Sequence, residues 1–168
     1  MIRKFLAVAL IALAPVAGFA QKFGSINSAD IMQLMPERKA AETELETLQS
    51  QYAEEFEYMK SEYTKKCEDY EKQKETLPDN IRQRREQEIM DSEEKINQYL
   101  QTCDRTINEK AAQLQNDIIA KLVKAIQAVG EEGQYVCIFD NANGSVPFVS
   151  STLTTDVTEA VKAKLGIK

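Results

Sequence analysis

The chain is rich in charge and poor in the side chains that usually do chemistry. Its 168 residues include 21 Lys and Arg and 27 Asp and Glu, but no His and no Trp. Without imidazole there is no His-based acid–base relay, no Ser-His or Cys-His nucleophile pair and no imidazole metal ligand. The carboxylates lie on segments that are about one-third charged, where they form a solvated helix face far more often than a paired catalytic site. Neither a Gly-rich phosphate loop nor a metal-ligand cysteine spacing is present, so no cofactor is expected and the chain does not read as an enzyme. What does cluster is positive charge. Between Lys60 and Arg85 there are eight basic and six acidic residues, whereas Glu37 to Met59 has two basic and seven acidic. Such a patch is either an ordinary solvated face or a contact for an anionic surface. Its candidate contacts are Lys65, Lys66, Lys72, Lys74, Arg82, Arg84 and Arg85.

Two long apolar rhythms carry these charges. Leu45, Leu48, Tyr52, Phe56, Met59, Tyr63, Cys67 and Tyr70 recur at steps of three, four and four. Ile96, Leu100, Cys103, Ile107, Ala111, Leu114, Ile118, Leu122, Ala125 and Val129 follow the same rule. These steps place each set on one stripe of an α-helix, and a period of about 3.67 residues per turn is close to that of an unstrained helix. Leu77-Pro78-Asp79-Asn80 interrupts the rhythm, because Pro lacks a donor and Asp-Asn suits a turn or an N-cap. The prediction is a long antiparallel helical hairpin over 36–129 with its turn at 77–80.

The three cysteines fit that register. Cys67 would face the neighbourhood of Met90 and Cys103 that of Glu54, which leaves the thiols about 20 Å apart at about 1.5 Å per residue, beyond bridging distance. Small buried hydrophobes are the favoured reading of Cys67, Cys103 and Cys137, and an intermolecular disulfide is the alternative.

The chain ends are different in kind. Arg3 and Lys4 precede the apolar run Phe5 to Leu13, and Gly18-Phe19-Ala20 supplies small residues at the positions a signal peptidase reads. Residues 1–20 therefore read as a cleaved signal peptide, with export to a periplasm or beyond; an uncleaved anchor is the alternative, against which the shortness of the apolar run speaks. No Cys follows the cleavage site, against a lipoprotein. Lys22 to Asn27 reads as a strand, followed by a short helix capped by Asn27 or Ser28, which completes the segment 21–35; Pro36 then opens the arm. After the arm, Gly130 and Gly133 are expected to stop the helix, and 130–168 should hold two strands and a short helix. Those strands are expected at Tyr135 to Phe139 and, past the turn Asp140 to Gly144, at Ser145 to Val149, with Pro147 placing the second at an edge. The closing helix should run from about Thr158 to Leu165 and end at Gly166.

So small a body rarely sustains a core by itself, and oligomerisation is the natural remedy. Ile118, Ile119, Leu122, Val123, Ala125, Ile126 and Val129 spread apolar residues beyond one stripe, which implies burial on several sides near the arm's root. The candidate body or subunit-joining core is Ile26, Ile118, Ile119, Leu122, Val123, Ile126, Val136 and Ile138.

Three local patterns make the order of parts recognisable: Phe23-Gly24-Ser25-Ile26-Asn27-Ser28 with Pro36-Glu37, Tyr135-Val136-Cys137-Ile138-Phe139-Asp140-Asn141-Ala142-Asn143, and Asp156-Val157-Thr158 through Val161 to Leu165-Gly166-Ile167. Together they resemble the Skp/OmpH-like family of periplasmic chaperones over nearly the whole mature chain. The resemblance implies a mainly α fold with a small β body, in which helical hairpins project from a trimeric β-structured body and enclose a cavity. It further implies an ATP-independent holdase for unfolded outer-membrane proteins. One departure stands out: better-known relatives are strongly basic, whereas this chain without Arg3 and Lys4 has 19 basic and 27 acidic residues. On this reading a mildly basic tip meets anionic lipid while acidic walls keep clients mobile, and nucleic acid is an improbable partner. A secreted coiled-coil spacer or scaffold of the envelope is the alternative, against which the strand-bearing ends speak.

Overall fold

The computed structural model describes residues 21–142, 144 and 146–167. The expected signal peptide lies outside the described residues, as do Asn143 and Ser145 of the expected turn and strand, and Lys168. The elements run β1 (Lys22–Ile26), α1 (Ser28–Leu34), α2 (Pro36–Gln73), α3 (Asp79–Glu132), β2 (Tyr135–Asp140), β3 (Thr154–Asp156) and α4 (Thr158–Leu165). This is the mainly helical fold with a small sheet that the sequence predicted. Contacts divide it into two compact units, one of Asp30–Lys124 and one uniting the residues up to Ala29 with Ala125–Gly166.

The first unit is the hairpin. Met35 stays extended and Pro36 opens α2 at its first turn, where a missing N–H costs nothing. The 38 residues of α2 and the 54 of α3 keep their stripes half-buried or buried along the whole interface. At the turn, the Pro78 carbonyl accepts the Ile81 and Arg82 N–H groups at 3.0 and 2.9 Å, so Pro78 caps α3 and Asp79 is already helical. One stripe position differs from expectation. Leu100 is exposed, and Tyr99 lies in the seam instead, its ring 6.1 Å from that of Tyr52 in an edge-to-face pair. A step of three then four from Ile96 to Cys103 serves the stripe as well as four then three, and the tyrosine contributes more apolar area to it.

The second unit holds a three-stranded sheet in the order β2-β1-β3, with both outer strands parallel to β1. Phe23 is level with Cys137 on one side and Thr154 on the other. No strand occupies 146–149; the third strand is Thr154–Asp156. The hairpin expected after β2 fails because β2 and β3 flank β1 on opposite edges in the same direction, so the connection must cross the sheet rather than turn back. Gly130 is likewise not a stop: α3 runs through it to Glu132. The stop is Gly133-Gln134, where Gln134 adopts a left-handed φ of 54°. Gly133 is needed for a different reason, since a Cβ there would enter the Tyr135 ring and lie 3.0 Å from the Val129 carbonyl oxygen. A Cβ on Gly24 would meet Ile138 Cγ1 at 3.0 Å, so the bare strand lets that side chain close over it. α4 ends on Gly166 in the left-handed region, as its sequence predicted.

Candidate functional site

Across the hairpin the helices are joined by a ladder of side-chain contacts. Lys121 pairs with Glu37, Lys110 with Glu44 at 2.6 Å, and the Tyr99 hydroxyl donates to the Tyr52 carbonyl at 3.4 Å. Further out, Lys66 Nζ donates to Ser92 Oγ at 2.8 Å and the Tyr70 hydroxyl donates to the Glu86 carboxylate. This register sets Cys67 and Cys103 against different partners, and all three cysteines are free thiols; Cys103 is buried and Cys67 half-buried, but Cys137 is exposed on β2, so the buried-hydrophobe reading fails there.

Two of those thiols sit one helical turn after a tyrosine. The hydrogen bond with Cys67 raises the Tyr63 phenol above its usual value, and burial, followed by the bond with Cys103, pushes Tyr99 up to about 12. The contact with Glu86 raises Tyr70 too. All three phenols therefore stay protonated at ordinary pH and act as stripe residues with a polar rim. Among the described residues no group of His, Cys, Asp or Glu could hold a metal ion.

The tip cations are brought together, but with carboxylates among them. Lys74 pairs with Glu71 at 2.8 Å, Arg82 with Asp79 at 2.6 Å, Lys72 with Glu68 and Asp69 at 3.9 Å, and both Arg84 and Arg85 with Glu88 at 3.5 and 3.6 Å. Lys65, Lys66 and Arg85 share a hollow of about 190 Å³ with Glu62, Asp69 and Glu88. These pairs are exposed, and pairs of that kind contribute about 0–1 kcal/mol each, so an outside anion can exchange for the internal carboxylate at small cost.

The predicted core set divides. Ile26, Ile118 and Leu122 are buried, and Ile126 and Ile138 are half-buried. Ile119, Val123 and Val136 are exposed in the single chain, together with Phe148 and Leu153. Burial of Ile119 and Val123 on a further side of α3 thus does not occur within one chain.

Sequence reasoning missed one polar junction. Asp140, the last residue of β2, accepts the Ser28 hydroxyl at 2.6 Å, the Ser28 N–H at 3.2 Å and the Ala142 N–H at 3.1 Å. Burial pushes its carboxyl up, but these three donors outweigh that and hold it below its usual value. Asp156 does similar local work by accepting the Thr158 N–H at 2.9 Å at the start of α4. Behind it Val157 and Val161 are almost fully buried, which explains the spacing of the closing sequence pattern.

With this geometry in hand, comparison with known proteins is direct. The family model for outer membrane protein (OmpH-like) matches residues 22–165, and the chain belongs to that family. A chaperone protein Skp of Yersinia enterocolitica is 24% identical over 95% of this chain and 99% of its own. One from Photorhabdus laumondii is 29% identical over 85% of this chain and 87% of its own. Among solved structures, an OmpH-like outer membrane chaperone from Caulobacter crescentus superposes with a TM-score of 0.72 at 15% identity, covering 86% of this chain and 83% of that one. That superposition shows a shared fold.

Proposed function

We propose that this protein is an ATP-independent periplasmic holdase, and not an enzyme, which binds unfolded outer-membrane proteins between helical arms and prevents their aggregation. The observation that carries this reading is the hairpin of α2 and α3: two long helices packed stripe to stripe, with single exposed apolar side chains such as Tyr58, Met90 and Leu100 scattered over charged surface. Dispersed, weak contacts suit a client without fixed shape, whereas one shaped pocket would suit a single ligand. Residues 36–129 act as the arm, and 21–35 with 130–168 act as the body of a homotrimer that encloses the clients. Residues 1–20 direct export and are removed after Ala20. The envelope-spacer alternative has no use for a three-stranded sheet.

The decisive experiment mixes the purified mature protein with an unfolded β-barrel membrane protein and follows light scattering. Suppression near one trimer per client without ATP is the expected result; unchanged aggregation at several-fold excess would sink the idea. The basic tip is assigned to anionic lipid or lipopolysaccharide. Replacing Lys65, Lys66, Lys72, Lys74, Arg82, Arg84 and Arg85 together by Gln should weaken vesicle binding, at about 1 kcal/mol or less for each cation, and leave client holding intact. Equal vesicle binding by the variant would remove the tip from the model.

A further inference from the structure

In the first half of α3 a shallow hollow of about 450 Å³ is lined by Gln87, Met90, Asp91, Glu93, Glu94, Asn97, Gln98 and Gln101. Its composition is unlike the tip. Met90 stands 62% exposed at its edge, and among the described residues no Lys or Arg comes within ion-pair distance of Asp91, Glu93 or Glu94. Asp91 and Glu94 accept only neutral amide donors, from Gln87 at 2.7 Å and Gln98 at 2.8 Å. Arg85 and Lys95, each five residues from Met90, lie about 140° around the helix from it at about 100° per residue; Arg85 is engaged by Glu88 at 3.6 Å, and Lys95, one turn from Asp91, makes no ion pair with it.

α2 repeats the combination. Tyr58, also 62% exposed, sits between Glu54, Glu55 and Glu57 on one side and Glu62 on the other, with Lys60 engaged by Glu57 at 3.5 Å. Each arm helix thus displays a large apolar side chain ringed by carboxylates, most of which have no cationic partner.

Given the holding function proposed above, we infer that these two faces select client segments in which an aromatic or apolar residue is flanked by Lys or Arg, and that acidic segments are turned away. The complementarity has two parts. Met90 and Tyr58 give a soft or aromatic surface for the apolar residue, Met being adaptable in shape. The surrounding carboxylates, unsatisfied by internal cations, attract flanking ammonium and guanidinium groups and repel carboxylates, which biases encounter and residence without a shaped pocket. The tip differs because most of its carboxylates, Glu68, Asp69, Glu71, Asp79 and Glu88, already hold cations.

The absence of Trp from the chain makes the test direct, because a client's indole can be followed against a dark background. The mature protein is titrated into a short synthetic peptide carrying one Trp flanked by Lys, and into its counterpart with Glu in place of each Lys. The Lys peptide should bind about tenfold tighter at low salt, with the gap shrinking as ionic strength rises. Asp91→Asn, Glu93→Gln and Glu94→Gln together with Glu54→Gln and Glu55→Gln should narrow the gap, and Met90→Ser with Tyr58→Ser should weaken the Lys peptide at every salt concentration. These side chains are on the helix surface, so circular dichroism should be unchanged. Equal binding of the two peptides, or a gap that survives the charge removal, overturns the selectivity and leaves the holding function standing. Failure to bind either peptide, together with failure to suppress aggregation, overturns both.

Discussion

Asp140 shows how much one carboxylate can organise when its partners are distant in sequence. It satisfies the Ser28 N–H at the start of α1 and the Ala142 N–H after β2, and it receives the Ser28 hydroxyl. Its carboxyl is held below its usual value of 3.8, so the unfolded chain takes up the proton first as pH falls. The resulting stability is fully present above the usual value and is lost progressively as pH falls from there through the lower value of the folded chain. Asp140→Asn should therefore lower stability by about 1 kcal/mol near neutral pH, a figure reduced from that of a fully buried charged hydrogen bond because the group is partly exposed. Thermal unfolding of both proteins across pH checks this: the curves should converge once pH has fallen below the depressed native value of the carboxyl, where both side chains are uncharged. A constant difference at all pH values would mean that charge is not what Asp140 contributes. No local pattern announces such a contact, since it joins residues 112 positions apart.

At the scale of elements, legibility tracks period. The α2 stripe from Leu45 to Tyr70 was readable residue by residue because steps of three and four can satisfy only a helix, and each of these side chains is half-buried. The turn was readable from Pro78. By contrast β3 consists of Thr154, Thr155 and Asp156, three residues with no apolar alternation, while Val146-Pro147-Phe148-Val149 looks like a strand and is not one. Strand pairing there depends on the crossing connection, which is a property of the whole sheet. The tip was legible in composition but not in pairing, because ion pairs between side chains three or four apart depend on rotamers. Burial along α3 is graded: Ile118, Leu122, Ala125 and Val129 are buried, while Ile89 and Ile96 are only half-buried. Amides from Ile118 to Val129 should consequently exchange with solvent more slowly than those from Ile89 to Leu100. Hydrogen-exchange mass spectrometry reads this directly, and uniform protection along α3 would contradict the burial gradient.

For the whole molecule, the open surfaces call for company. Among the described residues both outer strands of the parallel sheet are unpaired at their outer edges, and Val136, Phe148 and Leu153 are exposed in the same unit. Parallel sheets are ordinarily covered, and so small a core gives little independent stability. The edges of β2 and β3 are unlike, so joining one to the other repeats head to tail and must close into a ring to end. A homotrimer is expected, and sedimentation equilibrium at micromolar concentration decides it; a folded monomer there would overturn the assembly. The sheet order also has a consequence in time. β1 is the central strand and is synthesised early, yet its partners begin at Tyr135 and Thr154, much later in the chain. The hairpin can form from contacts within its own length, but β1 has nothing to pair with until the segment past α3 has been made. Loss of only the last fifteen residues would remove β3 and leave the chain with its arms made and its anchor missing.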